Sequence, residues 1–148
     1  MPFQFPLQDV LHFRQSIEHQ QELRLRAANQ QVARVQHLIE EADAQRQNLY
    51  ANRSQELSQG VSAAELQFGL LYEKDLLRQR KELEPQLAQS QQLRDQQREI
   101  FRRARQARET LESVRDRQLE LYKKDAARRE QRSLDDLFLL RREYLRRG

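Results

Sequence analysis

The chain has no cysteine and no tryptophan, one methionine, and only three glycines and three prolines in 148 residues. Each shortage removes a class of protein. Without cysteine there is no disulfide framework, no thiolate nucleophile and no cysteine-ligated zinc. So few turn-forming residues cannot close the many short elements of a sheet, sandwich or barrel. The longest apolar run is four residues, 137–140, against the roughly 18–20 that a membrane-spanning helix needs. The opening residues show neither a basic nor an apolar leader, so no secretory signal is expected and the expected location is cytoplasmic.

What is present is charge and side-chain amide. Charged residues make up 34% of the chain and apolar residues 37%, too few to fill a thick globular core. Arginine and glutamine, 23 of each, supply nearly a third of the sequence, and both are strong helix formers. The net charge of +4 is uneven. Residues 1–61 hold six basic and seven acidic groups, and residues 62–148 hold 21 and 16. That bias permits an acidic partner surface without demanding nucleic acid.

Apolar spacing then decides the architecture. One stripe runs Ala28, Val32, Val35, Ile39, Ala42, Arg46, Leu49, Arg53. Its steps alternate four and three, the heptad repeat of a coiled coil. A second stripe runs Leu93, Gln97, Ile100, Ala104, Ala107, Leu111, Val114, Gln118, Leu121 with the same alternation. Between them, Gly60 can take the left-handed position that closes a helix. Ser62 can cap the next one, with Glu65 three residues on. The expected fold is all-α, a single domain over residues 1–148 built as an antiparallel two-helix coiled-coil hairpin. A helix is expected over about 7–57, a turn over about 58–62, and a longer helix over about 63–146. At 1.5 Å per residue these helices are roughly 75 and 125 Å long, so the second overhangs or breaks. Pro85 is the expected kink, because it lacks an amide hydrogen and crowds the preceding turn. Ending the helix near residue 83 is the alternative. Arg46 and Arg53 at seam positions are expected to snorkel, laying their methylenes on the seam.

Catalytic chemistry finds no support in the residues. The histidines at 12, 19 and 37 do not share a helical face at metal-ligand spacing, and no metal or cofactor is expected. There is no glycine-rich phosphate loop. The serines stand alone, and a thin hairpin encloses no cavity from which water is excluded. The chain is not expected to be an enzyme. The arginines of residues 94–108 alternate with Asp95 and Glu99 and lack a stacking platform, so nucleic acid is not an expected partner.

Three places carry large apolar groups outside a clean seam. The first is Phe3, Phe5, Leu7, Val10 and Leu11. The second is Leu134, Leu137, Phe138, Leu139, Leu140 and Tyr144. The third is Leu66, Phe68, Leu70, Leu71, Tyr72, Leu76 and Leu77. In a hairpin the first two are expected near each other. Each has a plain reading as local packing and a sharper one as a docking site.

These same places resemble a known family. The Phe-x-Phe-x-Leu-x-x-Val-Leu opening, Phe3 to Leu11, looks like the start of the flagellar FliJ family. Glu130-Gln131-Arg132-Ser133-Leu134-Asp135-Asp136 resembles that family's C-terminal Glu-Gln-Lys-x-Leu-Asp-Glu block. The Gly60 turn and the Tyr72/Leu76 stretch fall where the family places its turn and early second helix. The resemblance implies a component of the bacterial flagellar type III export apparatus, similar to the stalk subunit of rotary ATPases. It implies three kinds of partner: the hexameric export ATPase, the cytoplasmic domain of the export gate, and export chaperones. It also implies a peripheral location at the cytoplasmic face of the inner membrane. By position, Tyr72, Leu76, Gln79 and Leu83 would meet the gate, although Gln79 stands where a small residue is expected. Phe3, Phe5, Leu7, Glu130, Leu134, Asp135 and Asp136 would form the tip inserted in the ATPase ring. The competing functions are a generic coiled-coil scaffold and a prefoldin-like holdase arm.

Overall fold

A computed structural model describes residues 2–147. Two helices, α1 (Gln8–Gln59) and α2 (Ala63–Arg147), supply all the regular structure, with no strand among the described residues. The fold is an all-α hairpin whose two long helices pack against each other.

The termini of the helices follow from local chemistry. Gly60 adopts φ +84°, which a residue bearing Cβ takes only with strain. The Ser62 hydroxyl accepts the amide of Glu65 at 3.2 Å, and its carbonyl accepts the amide of Leu66 at 3.1 Å. Both contacts satisfy donors that a helix start leaves unpaired. At the other end, the Phe5 carbonyl accepts the amide of Gln8 at 3.1 Å, and Asp9 lies in the first turn, where the helix dipole favours a carboxylate.

Helix α2 runs through Pro85 without ending. The proline leaves the carbonyl of Lys81 without its usual amide partner, a defect of about 3 kcal/mol in an isolated helix. Contact with α1 on both sides compensates. Leu83 and Leu87 are half-buried and Ser90 is buried. The Ser90 hydroxyl donates to the carbonyl of Gln86 at 2.6 Å, so its polar atom is satisfied within the helix.

The chain forms two compact units, His19–Arg102 and a second made of Met1–Glu18 with Arg103–Gly148. In the first, the expected α1 stripe is the contact face. Val32, Val35 and Ala42 are buried, and Ala28, Ile39, Arg46, Leu49 and Arg53 are half-buried. On α2 the covered positions also alternate by three and four: Leu66, Gly69, Glu73, Leu76, Arg80, Leu83, Leu87, Ser90, Arg94, Gln97 and Phe101. The expected α2 stripe needs correction here. Leu93 and Ile100 are 55% and 48% exposed, and the seam passes through Arg94 and Phe101 instead. Polar side chains hold several contact positions, so apolar spacing alone pointed one residue aside.

In the second unit, the first residues of the chain and α1's first turns pack on α2. Leu11 is fully buried and Phe5 is 7% exposed. The Phe3 and Tyr122 rings meet with centroids 5.5 Å apart and planes tilted by 49°. Ala104, Leu111 and Val114 are covered as expected, whereas Gln118 and Leu121 are exposed. Beyond Ala126 every described residue of α2 is exposed. This is the overhang the helix lengths required.

The two glycines at the turn and in α2 have opposite requirements. Gly60 holds a positive φ, whereas Gly69 lies inside a helix, where an added Cβ would meet nothing within 4 Å. Urea denaturation followed by circular dichroism should show Gly60→Ala destabilising by about 1 kcal/mol and Gly69→Ala stabilising by up to about 1 kcal/mol.

Candidate functional site

The helices are joined by polar groups as much as by apolar ones. In His19–Arg102, Arg53 donates to Glu73 at 2.9 Å, and the Tyr50 hydroxyl donates to the other oxygen of the same carboxylate. The guanidinium of Arg53 also lies 5.7 Å from the centre of the Tyr50 ring, and that of Arg46 lies 5.8 Å from it on α1. Arg53 therefore does not snorkel as expected. Its side chain is 19% exposed and paired with a carboxylate that is 14% exposed. Farther from the turn, Arg80 meets Asp43 at 3.1 Å, and the Gln97 amide donates to the Gln21 side chain at 2.7 Å.

In the second unit Arg108 forks onto Glu18, with nitrogen–oxygen distances of 2.5 and 3.0 Å, and reaches Glu112 at 2.7 Å. Two parallel bonds fix orientation as well as distance. The hydrogen bond from Arg108 holds the Glu18 carboxyl below its ordinary pKa, against the opposing effect of burial. Hydrogen bonds from Tyr50 and Arg53 lower Glu73 in the same way, and the Glu73 carboxylate in turn raises the Tyr50 hydroxyl.

The four residues expected to meet the gate share one side of α2 but divide between the seam and its edge. Leu76, 2% exposed, is part of the contact with α1, and Leu83 is half-buried one heptad later. Tyr72 is 40% exposed and donates to Gln45 at 3.3 Å. Gln79 is exposed and donates to Asp75 at 3.1 Å. Tyr72 and Gln79 thus stand at the edge of the seam, and their exposed apolar neighbours are Phe68 and Leu71. Those two were visible in the sequence as part of a cluster too wide for one seam.

The expected tip residues also divide. Phe3 and Phe5 are packed into the second unit, with Leu7 beside them 42% exposed. Glu130, Leu134, Asp135 and Asp136 are all exposed on the overhang, where Gln131 donates to Asp135 at 3.2 Å. Tyr122, which meets Phe3, lies twelve residues before Leu134, about 18 Å along a helix. The two ends expected near each other are therefore separate groups. One supports the hairpin and the other faces solvent.

The hollows along the helices are grooves, one beside Leu38, Ala42, Gln79 and Leu83, another beside Phe3, Phe5, Arg115 and Leu119. Among the described residues no group of three or more His, Asp or Glu could hold a metal ion, and no helix is long and apolar enough to cross a membrane. Exposed faces on a helical hairpin suit protein contact. A family model described as flagellar FliJ protein matches residues 3–148. The chain belongs to the FliJ family. Membership makes it a component of flagellar type III protein export and of flagellum biogenesis. No curated protein and no solved structure matches it.

Two outcomes are expected of this chain in solution. Glu18 and Glu73 titrate below their unfolded values, so the stability they contribute is present above the ordinary carboxylate range and is lost as pH falls through the lowered values. The melting temperature should therefore drop on acidification below about pH 4, and less steeply in Glu18→Gln, whose lower starting stability at neutral pH is the companion observation. Leu76→Ala should cost about 2–4 kcal/mol in urea denaturation, whereas Tyr72→Ala should cost less than about 1 kcal/mol.

Proposed function

We propose that this chain is a stalk of the flagellar export apparatus that binds the hexameric export ATPase, promotes ring assembly and hydrolysis, and also contacts the cytoplasmic domain of the export gate and export chaperones. The observation that carries this reading is the separation of surfaces on the family's hairpin: exposed side chains on early α2 and a solvent-facing α2 end. A protein with two such faces can engage two partners without either displacing the hairpin contact.

The ring contact is assigned to the overhang, through Glu130, Leu134, Asp135 and Asp136. Phe3, Phe5 and Leu7 act with them indirectly, by anchoring the start of the chain against α2. The gate contact is assigned to Tyr72 and Gln79, with Leu76 and Leu83 supporting the face from the seam. A stalk of this kind biases an ATPase only by contacting its subunit states with unequal energy. Its location is the cytoplasm, held peripherally at the inner membrane through the rest of the apparatus.

The test is hydrolysis by purified flagellar export ATPase with and without the chain. The expected result is a stimulated rate that truncation after Ser133 abolishes. An unchanged rate and no ring complex would leave the scaffold reading in its place. For the gate, pull-down with its cytoplasmic domain should weaken about tenfold or more in Tyr72→Ala, the loss of one aromatic anchor. Undiminished binding would remove Tyr72 from that surface.

A further inference from the structure

One side of the His19–Arg102 unit carries two columns of side chains that the hairpin contact leaves open. On α1, Arg24, Gln31, Leu38 and Gln45 recur every seven residues, and on α2 Tyr72, Gln79, Gln86, Leu93 and Ile100 do the same. A seven-residue step keeps side chains on one edge of a coiled coil. The columns border one groove, because Leu38, Gln45, Gln79 and Gln86 line it together and Tyr72 donates to Gln45. Leu38, Tyr72, Leu93 and Ile100 are between 40% and 55% exposed. Charge on this side is divided along its length. Arg24 and Arg34 lie toward the Ile100 end, and Arg34 donates to Gln31 of the α1 column at 3.2 Å. Glu41 and Glu82 border the groove toward the Tyr72 end, with Asp75 beyond them.

We propose that two copies of this chain pair through this side, related by a two-fold axis that crosses the groove at Leu38 and Gln86. Such an axis sets each helix antiparallel to its own copy and makes a four-helix bundle from two hairpins. Independent residue pairs place the axis at the same level. The midpoint of Arg34 and Glu41 falls beside Leu38, so each Arg34 meets Glu41 of the other copy. The midpoints of Tyr72 with Ile100 and of Gln79 with Leu93 both fall at Gln86, so Ile100 covers the other copy's tyrosine ring. Leu38 and Gln86 line the same groove, and the two sets of midpoints therefore coincide in space. Charge favours a second copy over other occupants. The carboxylates at one end oppose a phosphate surface, and the arginines at the other end oppose a basic protein. Only a surface with the reverse order of charge suits both ends, and this side turned end for end has that order. On the reading that gives Tyr72 and Gln79 to the export gate, pairing and gate compete for this side, and the paired form holds the gate surface covered.

Analytical ultracentrifugation of the full chain over a range of concentrations tests the proposal. The expected result is a reversible dimer that weakens in high salt. Arg34→Glu should weaken it by about tenfold or more, and so should Glu41→Arg, because each sets like charges face to face at two symmetric places. Mixing the two variants should restore pairing, since one then carries acid at both positions and the other base at both. Arg98→Glu, with the same change of net charge on the far side of α2 from Ile100, should leave the dimer intact. A monomer at every concentration up to about 1 mM would overturn the proposal. Equal losses from Arg34→Glu and Arg98→Glu would do so too, as would no recovery on mixing. Loss of the dimer on truncation after Ser133 would also overturn it, by moving the contact to the end of α2. Adding the cytoplasmic domain of the gate separates the two readings. It should convert the dimer into a complex with one chain, whereas a complex that retains both copies would take the gate off this side and leave the pairing in place.

Discussion

Too little apolar material reaches the helix contacts to specify them alone, so charged and amide side chains complete them. Val32, Val35, Leu76, Leu11 and Phe5 are buried, but Glu73, Arg80, Gln97 and Arg108 occupy seam positions between such residues. Apolar side chains spaced by heptads permit several registers. Paired charges do not. A slip of one heptad would set Arg108 against Leu11 or Leu25 instead of Glu18, leaving a half-buried guanidinium without its fork. Partly exposed pairs of this kind add modestly to stability. Their larger effect is to make the alternatives worse.

The same constraint explains how far the sequence could be read. On α1, every seam position from Ala28 to Arg53 stands out by spacing, because apolar or small residues occupy most of them. On α2 the stripe through Leu93 and Ile100 follows the apolar residues, whereas the contact follows Arg94 and Phe101 beside them. A search for three-four alternation that admitted arginine and glutamate would have found Glu73, Leu76, Arg80 and Leu83 directly. The turn was legible for a different reason. A glycine followed by Ser-x-x-Glu states both the end of one helix and the start of the next. Pro85 carried the opposite lesson. Its local preference is to interrupt a helix, and packing on both sides overrides it.

The candidate surfaces were legible as clusters and not as faces. Short motifs name neighbours in sequence, but a helix sends adjacent residues in different directions. Even one side of a helix divides. Leu76 and Tyr72 lie one turn apart, yet Leu76 is buried between the helices and Tyr72 stands at the seam's edge, bonded to Gln45 and partly exposed. Likewise Phe3 and Leu134 both looked like tip residues, and only the second is free to touch a partner. What a sequence cannot supply is where the first helix runs out against the second, because that depends on how the two are aligned.

The order of synthesis gives the anchoring of Phe3 and Phe5 a consequence in time. These rings leave the ribosome more than a hundred residues before Leu119 and Tyr122, which flank them in the folded chain. Until those residues follow, the aromatic segment lacks its cover from α2. For that interval of translation a nascent-chain binder would find it before α2 does.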